Sequence, residues 1–181
     1  ETNERHFDEG LAAMIAERGI FVCPTANAGA PYVAQLTGIS VGQHIKPLHD
    51  AGVRIIAGTD AGINNNPHHQ FVGGLEYLAT RGFLPDQVIA MATTEAAAAL
   101  GVGAVTGRLA PGYDADIVVV DGDPTSDIAA LGKLRRVLTS GQDYVPDSGR
   151  FDVSAPGTPF ASPGQAIDLR LLTDVTRRRR V

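Results

Sequence analysis

Gly52-Val53-Arg54-Ile55-Ile56-Ala57-Gly58-Thr59-Asp60-Ala61-Gly62 is the stretch on which the fold turns. A short apolar, β-branched run begins just after a glycine and stops at one acid set between small residues. A strand buried on both faces reads as such a continuous run, whereas a half-exposed strand alternates. In α/β barrels and doubly wound sheets the C-terminal strand ends are where active sites are assembled. Asp60 is therefore the candidate catalytic acid or base and metal ligand.

On the N-terminal side, Leu11, Met14 and Ile15 recur at helical spacing from Asp8 to Arg18, alanines fill the same face, and Gly19 marks the stop. Ile20-Phe21-Val22-Cys23 reads as a second buried strand, ended by Pro24. A polar loop is expected through about Gly38, then a weaker helix from Val41 to Asp50 that Pro47 shortens or breaks. Two apolar strands with a crossover of this length form a βαβ unit, so they should pair in parallel.

On the C-terminal side, the loop Ile63-Asn64-Asn65-Asn66-Pro67-His68-His69 precedes a helix from Phe71 to Arg81, with Leu75 and Leu78 inward and Gly82 as stop. Pro85 suits the first turn of a helix reaching Met91. Thr93 or Thr94 should cap an alanine-rich helix with Glu95 in its first turn and Gly101 at its end. After Gly103 the pattern changes to short strands. Pro111-Gly112 is a turn, Asp116 to Val120 a strand, Asp121 to Pro124 another turn, and Ser140-Gly141 the tip of a hairpin reaching Val145. The chain thus divides into an α/β part at 1–103, a small β-layer at 104–146 and a flexible tail at 147–181 that ends in Arg177 to Arg180.

With 181 residues, 44% hydrophobic and 19% charged, the chain is globular in class. A net charge of −5 argues against nucleic-acid binding. The lone Cys23 excludes an internal disulfide and an all-cysteine zinc site, which makes a reducing cytoplasm the expected setting. No apolar run approaches the roughly 20 residues of a membrane span. Glu1-Thr2-Asn3-Glu4-Arg5-His6 has neither an initiator Met nor a signal pattern, so the chain is expected to be a fragment of a longer protein.

A further series of motifs runs in order. Gly58-Thr59-Asp60-Ala61-Gly62 is followed by histidine and Leu75-Glu76, then Ala92-Thr93-Thr94-Glu95-Ala96 through Gly101, then Gly107-Arg108-Leu109-Ala110-Pro111-Gly112 through Val120, then Gly122-Asp123-Pro124. This resembles the C-terminal part of metal-dependent amidohydrolases, most closely the imidazolonepropionase-like branch with its prolidase-type members, from about Asp8 to Val145. The resemblance implies an α/β fold: the C-terminal part of a (β/α)8 TIM barrel with strands seven (Ile20–Cys23) and eight (Val53–Ala57), plus strands of a composite β-sandwich. It implies that Asp60 ligates a divalent metal, zinc by expectation and one or two ions, and shuttles a proton. It also places a substrate-contacting histidine in the loop, either His68 or His69. The remaining metal ligands of the family lie on strands that would precede this chain, so the chain alone is expected to be inactive and to need the missing N-terminal half of the barrel.

Other residues invite blander readings. His44 and His49 are expected at the surface, Cys23 as a packed thiol, and Asn27 as a turn residue near the pocket. Asp114, Asp116, Asp121 and Asp123 stand beside Pro and Gly as turn acids. Hydrolysis of carbon–nitrogen bonds in a small-molecule substrate is the expected function of the parent protein. The rival is a truncated, inactive scaffold whose open strand edge and apolar faces bind a partner or self-associate. A phosphate-binding doubly wound domain ranks third, because no phosphate loop is present. Neither nucleic acid nor a membrane is an expected partner, and oligomerisation stays open.

Overall fold

Two strands running in the same direction carry the α/β part. In the structure, a computed structural model that describes residues 7–37, 42–62 and 66–144, β1 (Phe21–Val22) pairs in parallel with β2 (Arg54–Ile55). The register sets Phe21 opposite Arg54 and Val22 opposite Ile55, and the Ile56 amide donates to the Val22 carbonyl at 3.0 Å. Both strands are shorter than the apolar runs that predict them. Pro24 has no amide to continue β1. On β2, the Val53 amide donates to Leu48 O (3.1 Å) and the Ala57 amide to Met91 O (3.0 Å), so helix ends take positions where a neighbouring strand would pair.

Helix α1 (Glu9–Glu17) starts at Asp8, whose carboxylate accepts the Leu11 amide at 2.9 Å, and ends before Gly19 at φ +62°. Its buried stripe differs from the expected one. Ala12 is buried and Ile15 and Ala16 pack on the core, while Leu11 and Met14 stay 50% and 40% exposed. Positions 12, 15 and 16 stand at the three- and four-residue spacing of one helix face, and the small alanines let the helix approach closely.

Helix α2 (Ala30–Thr37) occupies a segment that reads as loop. Pro31 lies in its first turn, where a missing amide costs little. Asn27 initiates it: its Oδ1 accepts the Gly29 amide at 2.9 Å and its carbonyl accepts the Ala30 amide at 3.1 Å. Helix α3 (Ile45–Asp50) tolerates Pro47 in the same way, and the expected start at Val41 lies outside the described residues.

Helix α4 (Phe71–Thr80) buries Leu75 and Leu78 as expected, and Gly82 (φ +91°) follows its end. Helix α5 (Pro85–Ala92) carries Pro85 at its first position and buries Val88 and Met91. Helix α6 (Thr94–Ala99) has no side-chain cap. Instead Thr93 Oγ1 donates to Ile89 O at 2.7 Å and Thr94 Oγ1 to Ala90 O at 3.4 Å, so both hydroxyls bond back to α5. Glu95 pairs with Arg54 at 2.8 Å, and the Arg54 guanidinium stands 4.1 Å from the Phe21 ring centroid.

The core joins Val53 and Ile55 to Ile45, Leu75, Leu78, Phe83, Val88, Met91 and Ile128. Burying an apolar side chain of this size stabilises by about 1.5–3 kcal/mol. Ile128 comes from a 3-10 helix, Ile128–Gly132, that the sequence reading does not anticipate; Asp127 caps it by accepting the Ala129 amide at 3.0 Å. Around this helix a three-stranded antiparallel sheet forms from β3 (Ile117–Val120), β4 (Leu134–Thr139) and β5 (Gln142–Asp143), with β4 in the middle. Ser140 (φ +50°) and Gly141 (φ +77°) connect β4 to β5, the left-handed pair of a type I′ hairpin turn. The chain divides into two units at Val145/Pro146, and the tail expected at 147–181 lies outside the described residues. Among the described residues no helix is long and apolar enough to cross a membrane.

Candidate functional site

Beyond the C-terminal ends of β1 and β2 the backbone does something unusual twice. Thr25 has φ +49° and Asp60 has φ +55°. A residue with a Cβ enters this region at a cost, which Asp tolerates better than most. Such positions persist where surrounding structure imposes them, and they concentrate at functional sites.

The surroundings are visible here. The Thr59 carbonyl, one atom from the Asp60 amide nitrogen, accepts from Asn27 Nδ2 at 3.3 Å and also from Asn66 Nδ2. Asn27 Nδ2 reaches Thr25 O at 3.3 Å as well, so this one side chain ties the two strand-end loops together. Asn66 is 2% exposed, its own carbonyl accepts the Gly62 amide at 2.9 Å, and its Oδ1 is buried with no hydrogen-bond partner among the described residues.

Helix α4 presses on the same loops. A Cβ on Gly74 would stand 2.7 Å from Ala26 O and 3.1 Å from Thr59 Cγ2, and one on Gly73 2.7 Å from Ala28 Cβ. These two glycines therefore set how closely α4, and the 3-10 turn His68–Gln70 before it, approach the strand ends. Gly58 lies under Cys23, whose Sγ takes the space a Cβ would need. Cys23 is exposed and not a packed thiol, because β1 ends at Val22 and leaves residue 23 outside the paired strand.

Asp60 is exposed, with no ion pair or hydrogen bond among the described residues. A Cβ on Gly62 would lie 3.5 Å from His68 Nε2, so His68 reaches the turn that follows Asp60. His69 is exposed on the same 3-10 turn. Asp60 and His68 are thus brought to one end of the parallel pair. Among the described residues no group of three or more His, Cys, Asp or Glu side chains converges on a point where a metal could sit. A tightly held ion normally takes three or four protein ligands, so Asp60 can supply one ligand but the described residues do not form the site.

The remaining candidates play structural parts. His44 and His49 are half-buried, not surface residues: His44 stacks on Phe7 (5.9 Å between centroids) and His49 meets the Phe83 ring edge-on (5.3 Å). Asp123 accepts from Thr125 Oγ1, Ser126 Oγ and the Thr125 amide at 2.6, 2.7 and 2.9 Å, and these bonds hold its carboxyl below the usual range. The Ser140 amide and then the Thr106 hydroxyl do the same for Asp116. A cavity of about 240 Å³ is lined by His49, Arg54, Gln87, Met91 and Glu95 among others. It lies beside the N-terminal end of β2, away from Asp60, and holds none of the candidate site residues. Asn66 is the participant that sequence reading passes over, since nothing in an Asn-rich loop singles out the one residue that turns inward.

The profile of the amidohydrolase family matches residues 5–142. An imidazolonepropionase of Stenotrophomonas maltophilia is 33% identical over 145 residues, covering 78% of this chain and 34% of that protein. A 5-methylthioadenosine/S-adenosylhomocysteine deaminase of Symbiobacterium thermophilum is 29% identical over 140 residues, covering 70% and 31%. The crystal structure of a Xaa-Pro dipeptidase with methionine bound in its active site superposes with a TM-score of 0.67 at 25% identity, covering 76% and 37%. The chain spans about a third of the length of these relatives. The match to solved amidohydrolases makes the fold TIM-barrel-type, with mixed α and β content. Because the profile spans residues 5–142, from the segment before α1 to the start of β5 and well over half of the chain, the chain belongs to the amidohydrolase family.

Proposed function

We propose that the chain is the C-terminal part of a metal-dependent hydrolase that cleaves carbon–nitrogen bonds in amides, cyclic amides or dipeptides. In this reading β1 and β2 are barrel strands seven and eight, and residues 104–146 are its share of a small β-sandwich. The observation that carries it is Asp60: an exposed carboxylate, unpaired among the described residues, just beyond the C-terminal end of a parallel strand and held at φ +55° by groups from two loops. The named relatives act on chemically different substrates, so bond class is inferred and not the molecule.

A divalent cation, zinc by preference, would lower the pKa of a bound water towards about 7 when its other ligands come from outside the described residues. Asp60 takes the proton of the attacking water at its carboxylate and returns it to the leaving nitrogen as the C–N bond breaks. His68, which reaches Gly62, would contact the substrate in this reading, with His69 the alternative on the same turn. In the full-length protein, Asp60→Asn should reduce turnover of a C–N substrate by at least about 100-fold with the fold intact. Full activity in that variant, with far-UV circular dichroism unchanged, would sink the assignment.

The absence of a converging ligand group among the described residues favours one second reading, an inactive scaffold. Elemental analysis separates the two. Tight, stoichiometric zinc on the purified 181-residue chain would rule out the scaffold, while a metal-free chain that also fails to restore activity to the rest of the barrel would support it.

A further inference from the structure

We propose that Asn66 is a positioning residue for Asp60 that acts through the Thr59 carbonyl, an inference that rests on the functional role given to Asp60 above. The Thr59 C=O and the Asp60 N–H belong to one rigid peptide plane. Rotating that plane changes ψ of Thr59 and φ of Asp60 together, which is how Asp60 would return from φ +55° to an ordinary negative φ. A carbonyl oxygen has two lone pairs, and here two side-chain amides, Asn27 Nδ2 and Asn66 Nδ2, occupy them. The plane cannot flip without breaking both bonds.

Of the two donors, Asn66 is the more committed. It brackets Asp60, with its side chain bonded at Thr59 and its backbone carbonyl bonded to the Gly62 amide at 2.9 Å. It is 2% exposed, and its Oδ1 is buried without a partner among the described residues. An unsatisfied buried amide oxygen is destabilising, so this side chain stays inside for what its N–H group does. Leucine would fill the volume but could not hold the carbonyl, and aspartate would set a carboxylate against it.

The test reads the backbone of Asp60 directly in isotope-labelled full-length protein. The intraresidue amide–Hα NOE, strong at left-handed φ and weaker at negative φ, reports the sign of φ together with the ¹³Cα shift, and steady-state kinetics run on the same samples. Asn66→Ala should move Asp60 to negative φ and lower kcat by roughly 100-fold with KM little changed, the cost of misplacing a reacting group by about 1 Å. If Asn66→Ala does not fold, the near-isosteric Asn66→Asp serves, since it keeps the volume and loses the donor; the same outcome is expected. A positive φ retained at Asp60 in a folded variant overturns the clamp, even if stability falls. A negative φ with unchanged kcat overturns the positioning role. Asp60→Asn run alongside keeps the premise separate: its full activity removes the catalytic reading of Asp60, while the φ measurement still decides whether Asn66 sets its backbone.

Discussion

At φ +55° Asp60 lies where glycine would be comfortable, yet it is an acid with no partner among the described residues to offset the strain. That combination marks a residue whose conformation works against the fold. Asp60→Gly should therefore stabilise the protein by about 1 kcal/mol, the lower end of what such backbone strain costs, read from urea denaturation midpoints. A loss of stability would show instead that the carboxylate holds the loop together. At this scale the sequence singles out Asp60 because an acid and a strand end coincide there, and the structure sets that residue in the turn beyond β2. It could not choose between His68 and His69, because which of them reaches Gly62 depends on how a 3-10 turn packs. Asn66 was illegible for a related reason: its bond is to a backbone carbonyl seven residues earlier, and such a contact leaves no side-chain pattern.

Among the elements, α1 and α4, with helical periodicity and glycine stops, and α5, with Pro85 in its first turn, are readable to within a residue or two. The failures came where a polar residue had two uses. Asn27 and Gly29 look like loop until the Asn27 side chain starts α2. Thr93 looks like a cap until its hydroxyl bonds backwards to Ile89. Asp123 is the case that came out as a turn acid, and its bonds give a pH signature. The Thr125 hydroxyl, then the Ser126 hydroxyl and the Thr125 amide, lower its pKa in the folded chain, so the folded state binds the proton less readily than the unfolded state. Its contribution is complete above the unfolded carboxylate pKa near 4 and is lost as pH falls through and below that value. Asp123→Ala should lower Tm at pH 7, and the gap to wild type should narrow by about pH 3. A gap independent of pH would mean that packing of the turn, and not the carboxylate charge, is responsible.

Over the whole molecule, one core gathers residues from the strand pair, α3 to α5 and the 3-10 helix Ile128–Gly132, so the β-layer shares apolar contacts with the α/β part through Ile128. The α/β class and the parallel pairing were legible from two apolar runs and their spacing. The shortness of those strands was not, because helix backbone takes over their edge hydrogen bonds. The bond from the Ala57 amide to Met91 O is the clearest instance. The last carbonyls of a helix have no partner within it, and an edge amide has none within its sheet, so each satisfies the other. Ala57 thereby becomes a native reporter of the α5 layer. In deuterium exchange its amide should exchange as slowly as those of Val88 and Met91, and all three should respond alike to added urea, because all wait on the same opening event. If Ala57 exchanges at the rate of a free peptide while the helix amides stay protected, the layers separate independently.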